Sequence, residues 1–296
     1  MATCLRHSCK GVAVILRRAL VAIGAAGAAA GGAVAYTVAQ VQGRATGDIA
    51  AYLAGPVASR PPVVVAGASI VRGRASVDFV QMLRERYPRR TFVNGGVNGN
   101  VAWEVLQRLD QVLACRPEQV VLLVGTNDVQ ATLSPEATRD TKAAKGLPED
   151  PSLGWYAACM AEIVERLQRA GVSVGVCSLP PMGQDLDAPV NVLVREANSL
   201  LAAMCHHHGA TYLPVYEHLT ELLASQQATS GPAWTGSWAP GVRSLVEHYV
   251  FRRSFDAIAL AHGWVLSPDG VHMDSTGAGI IADVVSEWLA SQSRTE

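Results

Sequence analysis

The 296-residue sequence lacks an excess of charge of either sign: 24 lysines and arginines stand against 25 aspartates and glutamates. That balance gives no chain-wide attraction to a polyanion, and no nucleic-acid partner is expected. The six cysteines, Cys4, Cys9, Cys115, Cys159, Cys177 and Cys205, include no C-x-x-C pair. Their scatter argues against a zinc ribbon, a thioredoxin-like site or a dense disulfide scaffold. The run Cys205-His206-His207-His208 points successive side chains in different directions on a helix, so the four do not grip one ion, and no metal is expected. No G-x-G-x-x-G follows a strand-like run, which excludes a dinucleotide-binding turn.

The amino terminus lacks charge over a long interval. Arg6, Lys10, Arg17 and Arg18 precede an Ala- and Gly-rich stretch from 19 to 43 with no charged residue, and Arg44 is the next charge. Roughly 20 apolar residues cross a bilayer, and a basic flank normally stays on the cytoplasmic side. Two expectations follow: an uncleaved membrane anchor, or an export signal with Ala33-Val34-Ala35 as a cleavage candidate. Residues 1–45 are thus expected outside the fold, 46–60 as a linker, and 61–296 as one folded domain in an extracytoplasmic setting, either membrane-anchored or secreted. A membrane partner is expected only if the segment is uncleaved.

What is present from Pro61 onward is an alternation. VVVAG (63–67), TFVNGG (91–96), QVVLLVG (119–125), VSVGVCSLPP (172–181) and ATYLPV (210–215) read as short strands. Helical spacing fills the intervals: 77–87, 100–114, 152–171 and 191–209, with a last helix from Gly277. Strands alternating with helices predict an α/β fold, a three-layer α/β/α sandwich on a mainly parallel five-stranded sheet. Residues 131–151 read as a loop, and 217–266 as a long insertion containing a helix-like run from 242 to 263. Loops at the carboxyl ends of parallel strands build the sites of such folds.

Those strand ends carry chemistry. The first presents Gly67-Ala68-Ser69, the second Asn94-Gly95-Gly96-Val97-Asn98-Gly99, the third Gly125-Thr126-Asn127-Asp128. Ahead of the last helix, SPDGVHMDSTG (267–277) sets Asp269 three residues before His272. Serine is a poor nucleophile until a base takes its proton, and neutral imidazole suits that task near pH 7. This inventory matches acyl transfer from an ester: Ser69 as nucleophile, His272 as base, Asp269 fixing the imidazole tautomer and stabilising the imidazolium. Asn127, unable to transfer a proton, is expected to donate its side-chain N–H to the oxyanion beside the backbone N–H groups of Ser69 and Gly96. Asn98, Trp234 and Trp238 are candidates for the substrate pocket.

These residues resemble the SGNH hydrolases, the GDSL esterase and lipase superfamily. GAS, NGGVNG, GTND and DGVH occur in family order, and the resemblance spans about residues 62–290. It implies a flavodoxin-like fold over 61–296 and a cofactor-free serine esterase acting on small acyl, lipid or carbohydrate O-acetyl esters. It assigns the triad to Ser69, His272 and Asp269 and the oxyanion hole to Ser69, Gly96 and Asn127. The family's first block usually reads Gly-Asp-Ser, so Ala68 removes a carboxylate beside the nucleophile. An α/β-hydrolase elbow would need G-x-S-x-G, and position 71 is Val. An acyltransferase sharing the first half-reaction and a binding module that has lost turnover are the alternatives.

Overall fold

Five strands, the first three buried throughout, build one sheet: β1 (Val63–Gly67), β2 (Phe92–Gly96), β3 (Gln119–Leu123), β4 (Ser173–Cys177) and β5 (Thr211–Leu213). All four pairings are parallel, and the order is β2-β1-β3-β4-β5. The structure is a computed structural model that describes residues 27–56, 60–226 and 232–292.

Because successive strand side chains point to opposite faces, each strand feeds two cores. Val64, Ala66, Val120 and Leu122 join one cluster, and Val63, Val65, Val121 and Leu123 the other. Apolar residues on both faces are what a parallel sheet covered on both sides requires. The first face is closed by α5 (Ala102–Gln107), α6 (Leu109–Ala114), α9 (Leu153–Arg169) and α10 (Pro189–His208). The second is closed by α4 (Phe79–Arg86), α11 (Val215–Ser225) and α14 (Ser275–Gln292). This is the expected three-layer α/β/α sandwich.

Local chemistry sets the ends of these helices. Ser152 caps α9, its side chain accepting from Trp155 N, and α10 ends at Gly209 in the left-handed region with φ 68°. The helix read over 100–114 is two pieces, α5 and α6, joined at Arg108, whose φ of −109° is not helical. Its apolar positions nevertheless stay on one buried side, at Val101, Val105, Leu109 and Val112.

The structure corrects three expectations. The loop read over 131–151 contains α8 (Pro135–Lys145), capped by Ser134 and ended by Gly146. It buries no residue, so it shows little of the apolar periodicity by which helices are recognised in sequence. The helix-like run 242–263 lies in two helices, α12 (Ala239–Tyr249) and α13 (Phe255–His262), separated where Arg252 takes a φ of 55°.

The third correction concerns the amino-terminal segment. Residues 1–26 of the expected export or anchor segment lie outside the described residues, but α1 (Gly27–Gln42) and α2 (Ile49–Ala54) pack on the domain. Asp48 bridges Asn94 in parallel, Asn94 N donates to Gly47 O, and Ile49 is buried, so 46–54 is not a free linker. Arg84 reinforces this by donating to Thr46 O at 2.9 Å. No helix among the described residues is long and apolar enough to cross a membrane.

Candidate active site

The elements that present the four sequence blocks end on one side of the sheet. Ser69 opens the one-turn helix α3 (Ser69–Arg72) directly after β1. Residues 97–101 form the turn after β2, and α7 (Thr126–Ala131) starts at the end of β3. Asp269 and His272 lie in the loop before α14.

Ser69 Oγ lies 3.0 Å from His272 Nε2, across 203 positions of sequence. On the far side of the ring, His272 Nδ1 lies 2.7 Å from Asp269 Oδ2. The other carboxylate oxygen is held by the backbone: Val271 N and His272 N donate to Asp269 Oδ1 at 2.9 and 2.8 Å. That pattern is an Asx-type turn, which locks the carboxylate before it meets the imidazole. Ser267 Oγ in turn accepts from Asp269 N and Gly270 N, and Ser244 of α12 donates to Pro268 O at 2.6 Å.

Burial and pairing oppose each other at this couple, and pairing prevails. Desolvation alone would push the Asp269 carboxyl up, but the His272 charge and the hydrogen bonds hold it below its ordinary 3.8. Desolvation likewise favours a neutral His272, yet the adjacent carboxylate raises the imidazole above its ordinary 6.5.

A pocket of about 170 Å³ opens at these groups, lined by Ala68, Ser69, Asn98, Gly99, Asn127 and His272 among others. Trp234 and Trp238 line it as well. Asn98 also lines it, but its Nδ2 donates to Val41 O of α1 at 3.0 Å, so its amide holds that helix. Asn127 Nδ2 donates to Asn100 O at 3.0 Å, which fixes the carboxamide at the pocket edge.

Gly96 differs from the sequence expectation. Its N–H donates to Asn94 Oδ1 at 2.9 Å, and Gly96 does not line the pocket. The need for glycine there is steric: a Cβ would sit 2.3 Å from Arg72 N, where α3 crosses the end of β2. The pocket residue is Gly99, in the left-handed region with φ 73° and with open space where a Cβ would stand. Among the described residues, neither Gly99 N–H nor Ser69 N–H has a hydrogen-bond partner. The available signal is the Asn98-Gly99 dipeptide, which favours a positive-φ turn that exposes its backbone.

Three groups that sequence reasoning does not single out, two buried and one half-buried, tie the segments around the blocks together. Asp128 accepts from Ala102 N at the start of α5 (3.0 and 3.1 Å) and is raised to about 7 by burial, against the pull of its backbone hydrogen bonds. Arg108 donates to Asn100 Oδ1 at 2.8 Å and to Gly67 O at 3.0 Å, joining the first two blocks; burial lowers it to about 10. Tyr156 donates to Val124 O at 2.9 Å. At position 68, alanine leaves α3 without a side-chain cap.

A parallel α/β/α sandwich that brings a serine at a strand end into series with an imidazole and a carboxylate from the loop before its last helix has the architecture of a serine acyl hydrolase. The GDSL-like lipase/acylhydrolase family matches residues 64–233, and the chain belongs to it. It is a serine ester hydrolase. Solved structures agree in fold. An acetyl xylan esterase is 16% identical over 77% of this chain and 98% of its own, with a TM-score of 0.54. Axe2, an acetylxylan esterase from Geobacillus stearothermophilus, is 15% identical over 77% and 94%, with a TM-score of 0.55. The lipase/acylhydrolase from Enterococcus faecalis is 14% identical over 79% and 97%, with a TM-score of 0.52. No curated protein matches the chain in sequence.

Proposed function

We propose that the protein hydrolyses carboxylic esters through Ser69, His272 and Asp269, with the N–H groups of Ser69 and Gly99 and the carboxamide of Asn127 receiving the oxyanion. The observation that carries this reading is the hydrogen-bonded series at the pocket: carboxylate to imidazole at 2.7 Å, imidazole to serine hydroxyl at 3.0 Å.

The steps follow from that order. Ser69 Oγ attacks the ester carbonyl carbon while His272 Nε2 takes the hydroxyl proton. Asp269 stays ionised and stabilises the imidazolium, as its lowered pKa requires. The carbonyl oxygen becomes an alkoxide, and fixed N–H donors stabilise it without solvent reorganisation. The tetrahedral intermediate collapses, the C–O bond to the alcohol breaks, and His272 returns the proton to the departing alkoxide. Water then repeats the sequence on the acyl-serine, releasing the carboxylic acid and restoring the hydroxyl.

Ala68 does not disturb this scheme, since the position otherwise held by a carboxylate has no part in the proton path. The alcohol part is open to sugars, lipids or small alcohols. The test is hydrolysis of p-nitrophenyl acetate together with fluorophosphonate labelling. Ser69→Ala is expected to lower kcat by about 10⁴-fold or more and to abolish labelling. Equal rates in the two proteins would remove the assignment.

A further inference from the structure

The helix α1 carries Val34, Thr37, Val38 and Val41, spaced i, i+3, i+4, i+7, the stripe by which a helix packs on a core. All four line the pocket that opens at Ser69. Thr37 removes its hydroxyl from the cavity by donating to Ala33 O at 2.8 Å, so the stripe is apolar throughout. Facing residues come from α12, which packs against α1 and contributes Val242, Leu245 and Val246.

The domain grips this helix by its carboxyl end. Arg72 donates to Gln42 O and Gly43 O at 2.8 and 2.6 Å, and Arg74 donates twice to Gln40 O. Asn98 adds its bond to Val41 O. Two cations at the negative end of a helix are favourable electrostatically, and α1 supplies none of its own in its last turn. Arg72 belongs to α3, the turn that starts with Ser69, and Asn98 to the turn that carries Gly99. The helix is therefore fixed to the same two loops that hold the reacting groups.

We propose that α1 is a wall of the acyl-binding pocket, and that the ester's acyl group is an apolar chain of about six carbons, not acetyl. The volume sets the upper size: a dry cavity of about 150 Å³ holds benzene, six carbons, and this open pocket, which must also hold the ester group at Ser69, measures about 170 Å³. An acetyl group would leave most of that apolar lining without a contact. The proposal rests on the serine-esterase reading, because Ser69 fixes where the carbonyl sits and the acyl chain must extend from there. It also assigns Val34 a structural place that cleavage after Ala35 would destroy.

The test is the kcat/KM series of p-nitrophenyl esters from acetate to decanoate, run on the full-length protein. Each buried methylene is worth roughly fourfold, so kcat/KM should climb from acetate to about hexanoate and then level. Val38→Trp, filling the cavity from α1, should lower the hexanoate-to-acetate ratio at least tenfold, and Val246→Trp should do the same from α12. Leu260→Trp, on an exposed side chain outside the pocket, should leave the ratio unchanged. If Val38→Trp does not fold, Val38→Ala is read in its place and should move the length at which kcat/KM levels to longer acyl chains. A ratio near one in the wild type, or a ratio unmoved by these substitutions, overturns the acyl pocket while Ser69→Ala still abolishes turnover. Turnover surviving in Ser69→Ala instead overturns the esterase reading itself.

Discussion

The two walls of the pocket are made by different physics. One is made of the strand ends and the loop before α14, where directional bonds hold the polar side chains: Asp269 on two backbone N–H groups, Asn127 on Asn100 O, Asp128 on Ala102 N. The other is the pair α1 and α12, which meets the cavity with valines and a leucine and is tethered at its margins, by Arg72, Arg74 and Ser244. Directional bonds fix the position of reacting atoms to a fraction of an ångström, whereas apolar contact fixes a volume. The first wall therefore governs how fast a bound ester reacts, and the second which ester is held.

The sharpest way to break this division is Asn127→Ala. Removing one oxyanion donor costs about 10²–10³ in kcat, and the loss should be the same for acetate, butyrate and hexanoate esters, with KM nearly unmoved. Steady-state kinetics across the three esters measures it. A loss that grows with acyl length would mean that Asn127 shapes the acyl pocket, and the separation of the walls would fail.

The difference between the walls also explains what the sequence reveals. Ser69, Asn127, Asp269 and His272 stand in blocks whose order and strand context are written locally, so the hydrogen-bonded series is legible from the amino acids alone. The strands are legible too, because a parallel sheet demands uninterrupted apolar runs such as 119–125. The wall made by α1 is hidden behind composition: the Ala- and Gly-rich stretch from 19 to 43 reads as membrane-directed by hydropathy, and the 34, 37, 38, 41 stripe within it is small. Gly96 reads as the pocket glycine in place of Gly99 because neighbouring strand and turn glycines look alike in sequence. The hydrogen bond from Gly96 N to Asn94 Oδ1 separates the one that packs from the one that faces the pocket. Asp128 and Arg108 escape sequence reasoning for a related cause, since their partners include backbone atoms of distant loops.

A second, smaller effect is the pH dependence of turnover. His272 must be neutral to accept the serine proton, and its pKa lies above the ordinary 6.5 because Asp269 stabilises the charged ring against the opposing effect of burial. Below that pKa the rate should fall about tenfold per pH unit. The kcat/KM profile should thus bend above 6.5, at one pH for short and long acyl esters alike. Asp269→Asn removes the charge that raises the imidazole, so the bend should shift to lower pH in whatever activity remains. A bend that moved with acyl length would assign the titration to the substrate-holding wall.

The smallest effect concerns stability, and it isolates the polar wall from catalysis. Asp128 is held at about 7 against an ordinary 3.8, because burial penalises its charge more than the Ala102 N–H relieves it. A carboxyl whose folded pKa is raised stabilises the fold fully below the unfolded value and loses that contribution as pH rises through the folded one. The window here runs from 3.8 to about 7. Asp128→Asn keeps an oxygen for Ala102 N but cannot ionise. The wild type should therefore lose Tm relative to Asp128→Asn as pH rises across that window, on the order of ten degrees for a domain of this size. Thermal melts at about pH 4, 5.5 and 7, spanning that window, decide it: a constant difference would mean that Asp128 is ionised throughout. The tie between the second and third blocks would then be a charge-assisted bond, stronger than the neutral one inferred from its burial.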